Sequence, residues 1–118
     1  MLNGQYPTGV IDWGTNNWWL SHPYAQFTGQ SISFNGSGPK VESFAFIGTH
    51  TLWQIDVDNG DTVPALVKIS CLGNPMVAAT LAGGQVKTVV LGWTRPCTTV
   101  TIYSSNGWKT NFDNLKVK

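Results

Sequence analysis

Apolar and polar residues alternate two by two along most of this chain, and nowhere do apolar residues gather with a helical period of 3.6. The alternation predicts strands at 10–13, 30–34, 40–47, 51–57, 65–71, 76–82, 85–91, 97–103 and 111–117, nine in all. Within 40–47, Phe44 and Phe46 share a face with Glu42, and that face is expected to be core. Trp53, Ile55 and Val57 share one parity, Gln54 and Asp56 the other. Val67, Ile69 and Cys71 should point inward with Lys68 outward; Val100 and Ile102 inward with Thr99, Thr101 and Tyr103 outward.

The intervals carry turn chemistry. Gly48-Thr49-His50 and Asn59-Gly60 read as turns, and Gly83-Gly84 between two apolar runs reads as the tip of a hairpin. Residues 14–24 read as a loop, opened by Gly-Thr-Asn-Asn and holding Trp18, Trp19 and Tyr24. Nine short strands at regular spacing imply an all-β, two-sheet sandwich. A jelly roll suits the count better than an immunoglobulin-type domain, because the Cys–Trp–Cys spacing is missing. At 118 residues the chain is one domain, with residues 1–8 read as a linker or excised end and any leader lying upstream.

Composition narrows the partners. Charged residues make up 11% and the net charge is +1, so the skin must be hydroxyl, amide and glycine, and no basic footprint exists for nucleic acid or an anionic membrane. Cys71 and Cys97 stand at the end of one apolar run and the start of another and are expected to form a disulfide, the alternative being two buried free thiols. Such a bridge would remove roughly 3 kcal/mol of unfolded-state entropy, and it points to an oxidising compartment.

Catalysis has thin support. Glycoside hydrolysis needs two carboxyl groups about 5 to 9.5 Å apart, whereas Glu42 is the only glutamate and Asp56, Asp58 and Asp61 crowd one turn. His22 and His50 lack the close spacing of a zinc pair. A hard cation has two candidate sites: Asn111, Asp113 and Asn114, which Asp12 reaches if the first and last strands pair, and alternatively Asp56, Asp58 and Asp61. Against these stand a solvated hairpin tip and a polar edge strand.

The aromatic count carries more. Six tryptophans in 118 residues exceed what a sandwich this small can bury, so some must lie at the surface, where a flat ring stacks on the C–H face of a sugar. Trp18 and Trp19, being adjacent, must point opposite ways, one into the core and one out. Trp13 reads as core, Trp53 as core by parity or, near its strand's start, as a sugar platform at the rim, Tyr103 as an outward platform, and Trp93 and Trp108 as loop residues equally suited to lid or platform. Asn17, His50, Gln54 and Arg95 are candidate hydrogen-bonding partners for sugar hydroxyls.

Val10-Ile11-Asp12-Trp13-Gly14 with Trp18 and Pro23-Tyr24 downstream, Ser33-Phe34-Asn35-Gly36, and Ser105-Asn106-Gly107-Trp108 leading to Thr110-Asn111-Phe112-Asp113-Asn114-Leu115 together resemble jelly-roll carbohydrate-binding modules. Such modules are appended to secreted bacterial polysaccharide-degrading enzymes, including endoglucanases. The resemblance implies a non-catalytic, monomeric, extracellular module that holds a catalytic domain of the same parent chain on plant cell-wall β-glucan such as cellulose, mixed-linkage glucan or xyloglucan. It also implies a structural Ca²⁺ ligated by Asp113, although the first strand supplies no glutamate partner. The competing reading from another class is a structural or protein-interaction sandwich of a secreted multidomain protein; a small hydrolase ranks third.

Overall fold

The computed structural model describes residues 1–118. Ten strands form two five-stranded antiparallel sheets: β1 (Ile11–Asp12), β2 (Trp18–Ser21), β3 (Ser31–Phe34), β4 (Val41–His50), β5 (Leu52–Asn59), β6 (Ala65–Ser70), β7 (Val77–Leu81), β8 (Val86–Val90), β9 (Cys97–Ser104) and β10 (Thr110–Val117). One sheet runs β1-β4-β9-β6-β7, the other β2-β3-β10-β5-β8. No helix is long and apolar enough to cross a membrane.

The pairing follows one rule. β3 pairs with β10, β4 with β9, β5 with β8 and β6 with β7, each strand meeting the one at the mirrored position along the chain. This is a long hairpin rolled up so that successive pairs fall in alternate sheets, which is the jelly roll. β1 and β2 extend the two sheets at β4 and β3.

Four expected local features give way to that arrangement. Gly83-Gly84 is not a hairpin tip: β7 pairs with β6 and β8 with β5, so the glycines carry the chain from one sheet to the other. Asn59-Gly60 likewise leads from β5 across to β6 rather than closing a two-residue turn. Gly48-Thr49-His50 stays within β4, where the register to β9 shifts between Ala45 and His50, and the crossing falls at Thr51. The tenth strand, Trp18–Ser21, lies in the stretch expected to be loop, and its four residues pair in unbroken register with Phe34 to Ser31.

Between the sheets, Trp13, Trp18, Phe34, Phe44, Phe46 and Phe112 are all buried, with ring centroids from 4.7 to 6.4 Å apart and tilted or edge-on contacts. Edge-on geometry sets the positive rim of one ring against the negative face of another. Each buried indole also has a partner for its N–H: Trp13 donates to the Tyr6 carbonyl at 2.6 Å, Trp18 to Ser43 at 2.9 Å and Trp93 to Pro75 at 2.7 Å. The Cys71–Cys97 disulfide is formed and buried.

Candidate functional site: an aromatic groove on the outer face of one sheet

Alternation in β2 decides which tryptophan is available. Trp18 and Leu20 pack on the core, so Trp19 and Ser21 point outward. Opposite them in register are Ser33 and Ser31 of β3, and beyond β3 lies Asn111 of β10. The Asn111 amide donates to Ser31 Oγ at 2.6 Å and to Ser21 Oγ at 3.3 Å. These polar side chains form a hydrogen-bonded strip across three strands.

Two loops add walls. The 3-10 turn Gly107–Lys109 before β10 brings Trp108 and Lys109, and the segment between β2 and β3 brings Tyr24. Trp19, Tyr24 and Trp108 surround a groove of about 270 Å³ floored by Ser21, Ser33 and Asn111. Trp19, Tyr24 and Trp108 are 46%, 37% and 48% exposed.

Both loops hang on the chain crossing at residues 58–61. Asn106 is bonded to the fully buried Asn59 at 2.9 Å, which fixes the turn carrying Trp108. The Gly60 N–H donates to the Lys109 carbonyl at 2.9 Å, and Lys109 pairs with Asp61 at 3.6 Å. Tyr24 lies so close over Gly60 that a Cβ there would come within 2.5 Å of Cε1, so only glycine seats the ring. Burial pushes the Asp58 carboxyl above its ordinary value, against the pull of the Gln26 and Phe27 backbone N–H groups. The Thr62 N–H, helped by the Lys109 ammonium, holds Asp61 below its ordinary value.

The expected sugar-contacting residues separate. Trp19 and Trp108 line the groove. Trp18 and Trp93 are corrections: at 1% and 5% exposure, with their N–H groups bonded, they belong to the core and have no face for a ligand. Trp53, read as core or rim platform, lies outside the groove and is half-buried, with the Lys116 and Lys118 ammoniums 5.4 and 5.6 Å from its ring. Leu52 is the fully buried residue there, where β10 slips register opposite Leu52 and Gln54. Tyr103 lies on the other sheet, half-buried and covered by Lys68 at 5.7 Å.

The polar candidates also lie outside the groove. Asn17 sits in the turn before β2 and accepts the Asn35 N–H through its carbonyl. His50 bonds the Lys118 carbonyl at 3.1 Å and packs on Phe46. Gln54 pairs between Val90 and Lys116, and Arg95 is fixed through its backbone to Asn74. Tyr24, Ser21, Ser33 and Lys109 went unrecognised. Reading Trp18–Ser21 as a strand would have placed Ser21 beside Trp19 on its outward face.

Neither metal set is gathered. Asp12 lies on β1, which pairs with β4 in the opposite sheet from Asn111 and Asp113, and it caps the Gly14 N–H at 2.9 Å. Asp56 accepts from Thr88 and Asn114, Asp58 from the loop above it, and Asp61 from Thr62. No three acidic, histidine or cysteine side chains converge anywhere, so the implied calcium has no ligand set among them.

Fold and groove together define a disulfide-bridged jelly-roll sandwich with an exposed aromatic cleft on one sheet. Neither the family models nor the curated proteins with which the chain was compared match it.

Proposed function

We propose that this chain is a non-catalytic carbohydrate-binding module that takes a β-glucan chain along the Trp19–Tyr24–Trp108 groove. The observation that supports it most is the pairing of three half-exposed aromatic rings with a floor of hydroxyl and amide groups. Ring faces match the axial C–H surfaces of a pyranose, and Ser21 and Lys109, the accessible polar side chains of the groove, supply hydrogen-bonding groups for its hydroxyls above the buried Ser33 and Asn111. The low charge content suits a neutral polymer, since stacking does not depend on charge. Plant cell-wall glucan, a catalytic domain in the same parent chain and an extracellular setting complete the proposal. The buried disulfide supports the last of these.

Affinity electrophoresis in gels containing barley β-glucan, xyloglucan, xylan or mannan tests it. Retardation is expected in at least one β-glucan gel, and unretarded migration in all four sinks the reading. Trp19→Ala and Trp108→Ala should each weaken retardation by about fivefold or more, taking roughly 1–3 kcal/mol for a lost aromatic stack. Their melting temperatures should stay near that of the unsubstituted protein, because neither ring is in the core.

A further inference from the structure

Tyr24 sits in a segment, 22–30, in which every residue except Phe27 is exposed. Packing alone therefore does little to hold it. Beneath the segment, however, Asp58 of β5 has no exposed surface. Its Oδ2 accepts the Gln26 N–H at 2.9 Å, while the next N–H, that of Phe27, donates to the Tyr24 carbonyl at 3.0 Å and closes the loop on itself. The Gln26 side chain, with its amide nitrogen toward Asp58, donates to both carboxylate oxygens. No cation pairs with Asp58; the molecule's one ion pair is Lys109–Asp61. A buried carboxylate satisfied only by the N–H groups of one loop is costly to keep unless the loop stays in place.

We infer that Asp58 is a positioning residue for the groove, fastening the 22–30 segment through Gln26 and so setting Tyr24 against Gly60 as its third wall. The acidic run that looks like a cation loop in the sequence then serves as an anchor for an aromatic. Asparagine at this position keeps the shape but removes the charge, so its bonds to the loop become the weaker neutral kind.

The consequence for sugar rests on the reading proposed above; the anchoring does not, and the two are tested separately. In the unliganded protein, Asp58→Asn should speed amide hydrogen exchange at Gln26 and Phe27 by about tenfold or more, with the β5–β10 amides unchanged. Unchanged exchange at both overturns the inference. Should that variant not fold, Gln26→Ala on the exposed loop residue removes the side-chain part of the anchor, and exchange at Phe27 should rise several-fold; no rise there is equally fatal.

A second measurement uses the β-glucan gel that retards the unsubstituted protein most. Asp58→Asn and Tyr24→Ala should each weaken retardation, and the double variant should be no weaker than Tyr24→Ala alone, since one residue acts through the other. Losses that multiply would show Asp58 acting elsewhere and would overturn the inference. If no glycan retards the unsubstituted protein, the sugar reading fails alone and the exchange result decides the anchoring.

Discussion

Asn59 shows how much a single side chain can organise in a domain with few charges. It is fully buried, and its amide nitrogen faces the carbonyls of Val63, Leu81 and Ala82 at 2.8, 3.2 and 3.2 Å. Its Oδ1 accepts from Asp61 and Asn106. Three chain segments thus converge on one amide, whereas the same dipeptide read locally is only a turn former. Glu42 is a residue of the opposite kind. It shares the face of Phe44 and Phe46, as the alternation implies, but it is only half-buried, and desolvation raises its carboxyl above the ordinary value of 4.5. A carboxyl raised in the folded state contributes stability below its unfolded pKa and loses that contribution as pH rises through the folded one. Glu42→Gln should therefore match the parent at pH 4 and melt progressively higher than it towards pH 7. A variant less stable at pH 7 would reveal a partner holding the charged form.

At the scale of elements, the parity of side chains is more legible than the pairing of strands. Inward Val67, Ile69, Val100 and Ile102 lie where period-two alternation puts them, because a strand buried on one face has no other stable orientation. Pairing is different: Gly83-Gly84 has the chemistry of a hairpin, yet β7 and β8 each find a better partner across the rolled chain. Gly83 matters for another reason. A Cβ there would lie 2.5 Å from the Thr62 carbonyl oxygen, so two crossing segments touch backbone to backbone. Gly83→Ala should cost about 1–3 kcal/mol in urea unfolding, as overpacking at a rigid contact does. A loss below about 0.5 kcal/mol would mean that the crossings are free to part. Trp53 illustrates how alternation fails: the irregular register of β10 opposite Leu52 and Gln54 puts Leu52 in the core and leaves the indole under two lysines.

At the scale of the whole molecule, the disulfide joins the first residue of β9 with the residue that follows β6, spanning 26 residues of sequence that include both β7 and β8. Replacing Cys71 and Cys97 together by serine should lower stability by about 3 kcal/mol, through a less restricted unfolded chain, with the groove still formed in the folded fraction. An equal melting temperature with and without the bridge would contradict that account. By itself the amino-acid order determined the all-β class, the inward and outward faces of most strands, the cysteine pair and the surplus of tryptophan. Those follow from side-chain period, residue chemistry and counting, which act over a few residues or over the composition as a whole. Only the tertiary structure decided that Trp18 and Trp93 are buried while Trp19 and Trp108 are left exposed, and that Tyr24, Ser21 and Ser33 join them. The reason is that the groove is assembled from β2, β3, β10 and two loops hung on residues 58–61, and contacts between segments so far apart in the chain leave no local pattern to read.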